Sequence, residues 1–501
     1  MASSRSSSRM KLRTFASPLF LLFVFFGPSH EASATTKPNI ILFLVDDLGW
    51  ADIGANNPKT FYETPNVDRL AASGMRFTQG YAACPVCSPT RGSIMTGKVP
   101  PRFGVTDFIP GMRNGKLLSA PNATQLPLAE VTLAETLREA GYTTAHFGKW
   151  HLGGEGFYPE DQGFDRNFGG LDKGGPYGGG KYFSPYGNPK LSDGPPGEHL
   201  PDRLASECIK FMNEAGDKPF FANFWFYDVH TPLMARADLK AKYEKKAQSA
   251  PADTWGQERE REVRQVQRHA VYAGMVEAMD QAVGRVLTAL EKSGKADNTI
   301  VIFTTDNGGL STSEGSPTSN LPFRAGKGWL YEGGIRVPFI FRAPGITKAG
   351  VTSDIPIMST DIYPTLLDLA GLPQKPDQHR DGVSLKPALT GGALAARTLQ
   401  WHYPHYGNQG GAPSGCIRDG DWKLIEWYED DRAELFNIRE DMGEKTDLAS
   451  GMPDRVKELT AKLHTWRESV GGLMPKPNPN WSPNQPEPKK GAKKKKAPNE
   501  N

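Results

Sequence analysis

Two uninterrupted apolar runs, each closed by adjacent oxygen-bearing side chains, most restrict what this chain can fold into. Asn39-Ile-Ile-Leu-Phe-Leu-Val45 ends in Asp46-Asp47, and Asn298-Thr-Ile-Val-Ile-Phe-Thr-Thr305 ends in Asp306-Asn307. A strand with water on one face alternates apolar and polar residues. An unbroken run is buried on both faces, as in a parallel sheet covered by helices. Helical patterns over 66–74, 129–140, 201–214, roughly 257–293 and 360–369 alternate with further strands over 142–147, 219–227 and 337–342. The expected class is therefore α/β, with a mostly parallel central sheet flanked by helices. From about residue 395 the pattern changes to short antiparallel strands over 421–428 and 434–438 and a closing helix over 452–470, a smaller C-terminal α+β subdomain. The expected division is a signal peptide over 1–34, a main domain over 35–394, the subdomain over 395–471 and a basic tail over 472–501.

In 501 residues, Lys+Arg 59 against Asp+Glu 56 leaves little net charge, so no general attraction to nucleic acid or membrane surfaces is expected. Four cysteines are too few for a disulfide framework. Arg5, Arg9, Lys11 and Arg13 precede the apolar run Leu19–Phe26, and Ala32-Ser33-Ala34 offers a cleavage site. This is the pattern of a secretory signal, with a mature chain beginning near Thr35 that is secreted or periplasmic. No other segment is long and apolar enough for a membrane helix. The Pro-, Asn- and Lys-rich tail, ending in Lys493–Lys496, is expected to be disordered. It either binds a polyanion or is simply solvated.

In open α/β sheets ligands sit beyond the carboxyl ends of strands. Asp46-Asp47, His230 and Asp306-Asn307 are all placed there by the strand pattern. Adjacent carboxylates in a strand point to opposite faces, so a doublet serves one ion only where the strand has ended. Four hard oxygen donors fit Ca²⁺ or Mg²⁺ rather than zinc; the plainer reading of each doublet is a strand-end turn or a helix cap. In Cys84-Pro-Val-Cys87-Ser-Pro-Thr-Arg91-Gly-Ser-Ile-Met-Thr-Gly97, Pro89 suits a first helical position, Ser88 a cap and Gly97 a helix end. Cys87 then lies at the positive end of a helix with Arg91 one turn on, which favours a thiolate or a bound oxyanion. Cys84-Pro-Val-Cys87 also reads as a redox pair or half a zinc site, although the other cysteines, Cys208 and Cys416, are isolated.

Gly148-Lys149-Trp150-His151 sets a lysine and a histidine two residues apart, able to face one way in an extended segment. A buried lysine supplies a point charge for an oxyanion and a histidine exchanges protons near neutrality; the alternative is a solvated pair. The segment from Arg324 to Pro338 carries Lys327 among glycines that let backbone approach a ligand. His146, Glu332 and Arg336 read as structural. Tyr and Gly residues over 174–187, and Trp401-His-Tyr-Pro-His-Tyr406, either line a sugar site or pack loops.

The stretch Cys87–Gly97 resembles the signature of the type I sulfatases: Cys-x-Pro-(Ser/Thr/Ala)-Arg, two variable residues, two apolar residues, a small residue and Gly. Thr90 stands where Ser is commoner. Gly141-Tyr-Thr-Thr leading to Gly148-Lys-Trp-His151 resembles the second signature, Tyr227-Asp-Val-His230 the loop carrying a histidine, and Arg324–Pro338 the segment with a second sulfate-binding lysine. The resemblance implies an arylsulfatase-like hydrolase of the alkaline-phosphatase-like superfamily. It implies that a maturation enzyme converts Cys87 to formylglycine, whose hydrated aldehyde is the nucleophile. Asp46, Asp47, Asp306 and Asn307, with an oxygen of modified Cys87, are implied to hold Ca²⁺. Lys149 and Lys327 bind sulfate and Arg91 orients the nucleophile. Asp306 takes the attacking proton, His230 with Lys327 protonates the departing alcohol, and His151 removes the second hydroxyl proton. Export favours a sulfated carbohydrate as substrate. Hydrolysis of phosphate or phosphonate esters, known in the same superfamily, and non-catalytic polyanion binding are the rival readings.

Overall fold

Strand β1, Asn39–Val45, is buried along its whole length, and the side-chain alternation explains why. Ile41, Phe43 and Val45 enter one apolar core, whereas Ile40, Leu42 and Leu44 enter another on the opposite face. Each buried side chain of this size contributes about 1.5–3 kcal/mol, so a polar residue on either face would be costly. The computed structural model describes residues 6–11, 14, 37–176 and 181–482, and from Lys37 the chain clusters as one compact unit.

The sheet around β1 is completed by β2 (Met75–Tyr81), β3 (Thr143–Gly148), β4 (Arg166–Phe168), β5 (Phe220–Trp225), β6 (Thr299–Thr305), β7 (Arg336–Arg342), β8 (Val351–Ser353) and β9 (Ile357–Met358). Its order is β8-β2-β7-β6-β1-β5-β3-β4, with β9 also beside β2. Strands β4, β3, β5, β1 and β6 run parallel, and β7 is antiparallel to both neighbours. Helix α1 (Cys87–Thr96), α2 (Leu133–Glu139) and α5 (Ile362–Leu369) bury their apolar residues in one core. Helices α3 (Leu200–Glu214) and α4 (Ala270–Lys292) bury theirs in the other. The α/β class with a mostly parallel sheet is the observed one.

Strands β10 (Thr398–Tyr403), β11 (Ser414–Asp419), β12 (Trp422–Trp427) and β13 (Arg432–Asn437) form a second, antiparallel sheet in chain order, packed by α6 (Pro453–Ser469). Trp401, Cys416 and Phe436 of this sheet share an apolar cluster with Tyr81, Trp329 and Ile335.

Four expectations change. The helix expected over 257–293 begins only at Ala270; Trp255–Glu258 and Arg261–Arg264 pair as a hairpin. That charged segment has no apolar stripe to bury as a helix, and Arg264 instead lies over the Trp255 ring at 4.6 Å. The helix expected over 129–140 is shortened to α2, because Thr132 and Glu135 close a capping box at its start. Helix α1 starts at Cys87 rather than Pro89, so Ser88 is not its cap; the Ser88 hydroxyl accepts from the Ile109 N–H at 3.1 Å. Gly97 closes it with φ 66°. Part of the tail expected to be disordered is ordered by backbone pairing: Lys476–Pro477 pairs with Leu117–Leu118, and Asn478 N–H bonds the Lys116 carbonyl at 3.0 Å. Leu19–Phe26, Ala32–Ala34 and Lys493–Lys496 lie outside the described residues, and among those described no helix is long and apolar enough to cross a membrane.

Candidate active site

Parallel strands deliver their carboxyl ends to one edge of the sheet. Val45 of β1 pairs with Thr305 of β6, Leu44 with Trp225 of β5, and Trp225 with Gly148 of β3. Asp46-Asp47, Asp306-Asn307, the loop to His230 and Lys149 therefore emerge together. Asp47 has φ 62°, so the strand has ended and the two carboxylates are not held to opposite faces. Gly148 turns the chain at φ 93°, and a Cβ there would sit 2.0 Å from the Trp225 carbonyl oxygen; only glycine lets Lys149 N–H reach that carbonyl at 2.8 Å. Helix α1 brings Cys87 to the same edge as its first residue.

The charged groups interlock. Lys149 Nζ donates to Asp46 Oδ2 at 2.5 Å, and Lys327 Nζ to Asp47 Oδ2 at 2.7 Å. Arg91 donates through Nε to Asp306 Oδ2 at 2.8 Å, with Nη2 at 2.7 Å from the same oxygen, and its guanidinium lies 5.3 Å from the Trp225 ring centre. Asn307 Nδ2 donates to Asp47 Oδ1 at 2.8 Å, and His230 Nε2 stands 3.8 Å from Asp47 Oδ2. Ligand atoms of Asp46, Cys87 and Asp306 all lie within 4.8 Å of one another. Yet Asp46 Oδ1 and Asn307 Oδ1 are buried without a hydrogen-bond partner. Unspent hard oxygens gathered in one place fit a hard divalent cation. Cys84 belongs to no such group among the described residues; its Sγ lies 4.0 Å from the Thr106 carbonyl.

Burial sets the protonation of the site. It pushes the Cys87 thiol up, against the opposing pull of Lys149 and Lys327, so the unmodified residue is a thiol rather than the thiolate a helix N-terminus alone favours. Burial also pushes Asp46 well above the carboxylate range, although Lys149 opposes it. Asp47 is buried as deeply, but Lys327, His230 and Lys149 together hold it below the usual range.

Burial, with Lys327 next, lowers His230 to about 4; burial and Lys149 hold His151 well below its ordinary value. Carbonyls choose the tautomers. His151 Nε2 donates to the Ile109 carbonyl at 2.6 Å, leaving Nδ1 bare and unpartnered. His230 Nδ1 donates to the Thr231 carbonyl at 2.7 Å, leaving Nε2 toward Asp47. His151 itself has φ 58°, so Lys149 and His151 do not share a plain extended segment.

His146 is structural, bonded to Asn223 and packed among Trp150, Phe164 and Trp225. Glu332 pairs with Arg336, Tyr81 and Lys423, none of them among the catalytic groups. Trp401 and Tyr403 are core residues of β10. Of 174–187, residues 177–180 lie outside those described, while Tyr182 and Tyr186 are core. One carboxylate escaped sequence reasoning. Glu314 accepts from Thr231 Oγ1 at 2.9 Å and from Asn408, and it acts electrostatically on Lys327 and His230. Its Ser- and Gly-rich surroundings carry no strand or helix signal that would have singled it out.

A family model described as Sulfatase matches residues 38–372, and one described as N-sulphoglucosamine sulphohydrolase, C-terminal, matches residues 325–469. The chain is 34% identical to a protein named Sulfatase from Formosa agariphila, over 87% of this chain and 90% of that one. It is 33% identical to N-acetylgalactosamine-6-sulfatase of Canis lupus familiaris, over 74% and 69%. The crystal structure of Ps i-CgsB in complex with k-i-k-neocarrahexaose superposes with TM-score 0.72 at 29% identity, covering 89% of this chain and 94% of that one.

Proposed function

The chain belongs to the sulfatase family, and from that premise we propose that it hydrolyses sulfate monoesters borne on carbohydrate, with Cys87 matured to formylglycine and Ca²⁺ as the bound ion. Export to the periplasm or beyond is part of this reading, from the segment before Thr35. The carbohydrate assignment is supported by the relative named for N-acetylgalactosamine 6-sulfate and by the superposed neocarrahexaose complex. All the named side chains lie within 35–394, the stretch assigned as the catalytic domain.

Asp46, Asp47, Asp306 and Asn307, with the residue 87 side chain, are the groups that would hold the ion. When bound, the ion supplies Lewis-acid withdrawal of charge from a sulfate oxygen, and formylglycine supplies the attacking hydroxyl. Counted as ionised, the carboxylates of Asp46, Asp47 and Asp306 match the cations of Arg91, Lys149 and Lys327, while without a metal burial already favours a proton on Asp46. A divalent ion leaves excess positive charge, the electrostatic setting an anionic ester needs. Lys149 and Lys327 then donate to sulfate oxygens instead of being spent on Asp46 and Asp47. Asp306, oriented by Arg91, accepts the proton of the attacking hydroxyl. His230 meets the departing alcohol through Nε2, since Nδ1 is occupied by Thr231. Negative charge on the bound sulfate favours the imidazolium that donates there, with Lys327 beside it. His151, neutral and bare at Nδ1, is suited to take the second hydroxyl proton.

The observation that carries this reading is Cys87 grouped with Asp46 and Asp306 at a helix start, with both lysines on the adjoining carboxylates. Its test is expression in a host with the maturation enzyme, mass measurement of the Cys87 peptide, and assay on sulfated glycans and an aryl phosphate with Ca²⁺, Mg²⁺ or chelator. The expected result is an aldehyde at residue 87, sulfate turnover lost on chelation, and a loss of about 10⁴-fold or more in Cys87→Ala. Faster phosphate turnover, or full activity with an intact thiol, overturns it.

A further inference from the structure

Two loops lead outward from the catalytic groups and meet at a cavity of about 450 Å³, within the range of about 300–1,000 Å³ usual for small-ligand sites. The first loop passes through Ile109, whose carbonyl holds His151 and whose N–H bonds Ser88 beside Cys87. It continues to Arg113 and Lys116. The second, residues 406–412, packs on the glycine that follows Lys327: a Cβ on Gly411 would lie 1.8 Å from the Gly328 carbonyl oxygen, and Trp329 Nε1 donates to the Gln409 carbonyl at 3.1 Å. Asn408 of this loop donates to Glu314, which also accepts from Thr231 beside His230. Thr106 and Ser119 both bond His405, tying the two loops together at 2.8 and 2.7 Å. Both loops that line the cavity are therefore fastened to segments that carry catalytic groups, through Ile109 to His151 and through Gly328 to Lys327.

Its lining is unlike that of the catalytic site. Arg113, Lys116, Arg259 and Arg261 face it together with the rings of Tyr406 and Trp481. Lys116 and Arg259 are engaged by the carbonyl and carboxylate of Glu429, at 2.6 Å each. Arg113 is half-buried; it stands in no salt bridge among the described residues, and its charge is felt by the buried Asp107. Trp481, 43% exposed, belongs to the ordered tail: its N–H bonds Asn478, which is held by Gly115 and Lys116. A guanidinium presents the paired N–H groups that match a sulfate, and an aromatic face covers the apolar C–H face of a pyranose. Glu260, Glu429 and Asp430 also border the cavity, and Glu429 already engages Arg259.

We propose that this cavity is a subsite for a sugar adjoining the one that is desulfated, with Arg113 contacting a sulfate on that neighbour and Trp481 stacking on its ring. The substrate is then a sulfated oligosaccharide or polysaccharide rather than a single sugar. This rests on the carbohydrate reading above and narrows it.

The test uses the full-length, matured, Ca²⁺-loaded enzyme with three substrates: the sulfated oligosaccharide it turns over best, the corresponding monosaccharide sulfate, and 4-nitrophenyl sulfate. Arg113→Ala and Trp481→Ala are each expected to raise KM for the oligosaccharide about tenfold or more, the worth of one charge-assisted contact in the first and of one stacked ring in the second, with kcat unchanged. KM for 4-nitrophenyl sulfate stays at the wild-type value in both. Arg113→Lys restores part of the affinity, since it returns the charge without the fork, and added NaCl weakens oligosaccharide binding more than aryl sulfate binding. Equal KM shifts on all three substrates, or none on the oligosaccharide, overturn the subsite. Failure to turn over any sulfated carbohydrate overturns the carbohydrate reading instead.

Discussion

Two buried charge clusters share the segment from Arg324 to Arg336 and differ in one respect. At the sheet edge, Lys327 joins Asp46, Asp47, Asp306, Arg91 and Lys149. Beneath the second sheet, Lys423 lies between Glu332 at 2.9 Å and Glu444 at 2.8 Å. There Tyr81 donates to Glu332 at 2.8 Å, Arg336 stands at 3.2 Å, and the Glu332 N–H bonds Glu444 Oε2 at 2.7 Å. Every carboxylate oxygen in this second cluster has a cation or donor within 2.9 Å, although Glu444 Oε1 meets Lys423 as an ion pair without hydrogen-bond geometry. In the first, Asp46 Oδ1 has only Arg91 at 3.8 Å and Asn307 Oδ1 has none. A closed network of buried charge is a joint between parts of the fold; an open one is a place for something else to bind.

Removing the central cation should separate the two clusters. Lys423→Met leaves Glu332 and Glu444 facing each other in the interior. Breaking such a group from one side costs about 3–5 kcal/mol of stability, measurable as a lower urea midpoint. A loss below about 1 kcal/mol would place Lys423 among ordinary surface pairs and erase the distinction. Lys149→Met, in the Ca²⁺-loaded enzyme, should instead act on catalysis, lowering kcat/KM by about 10²–10³-fold. Its stability loss should be smaller than that of Lys423→Met, because the ion also neutralises Asp46; an equal loss would mean that the sheet-edge cluster is a joint as well.

Acid should weaken both regions together. Burial lowers His146, behind the catalytic edge, to about 3 and His402, in the second sheet, to about 4. Below pH 6.5 the unfolded chain takes up these protons while the folded chain does not, so stability falls as pH drops from 6.5 toward 4 and rises again with pH. At pH 5 each histidine accounts for a loss of about 2 kcal/mol. His146→Gln and His402→Gln, compared by urea unfolding at pH 7.5 and pH 5, should each remove part of that slope. A slope unchanged by either variant would assign the acid sensitivity to other groups.

Much of the architecture was legible because burial on both faces leaves an unbroken apolar run, as in β1, β5 and β6. The site was legible because parallel strands must end on one edge, which draws Asp46, Asp306 and the His230 loop together whatever the details. The segment over 255–264 was not legible as a hairpin, since charge-rich sequence suits an exposed helix or an exposed ribbon equally and only the Trp255–Arg264 pair decides. Glu314 was missed for a related reason. Its partners Thr231 and Asn408 are remote in sequence and its own loop has no periodicity.

By itself the sequence determined the buried strands of the sheet, the presence of a short helix beside Cys87 closed by Gly97, and the residue types at the strand ends, because periodicity and turn chemistry are local and additive. Which carboxylate each lysine meets, which nitrogen of His151 and His230 is left bare, and which oxygens stay unpaired were decided only in three dimensions. Those outcomes depend on the carbonyls of Ile109 and Thr231 and on side chains carried in from distant segments. A backbone carbonyl is the same group in every residue, so the sequence holds no mark of where it will point.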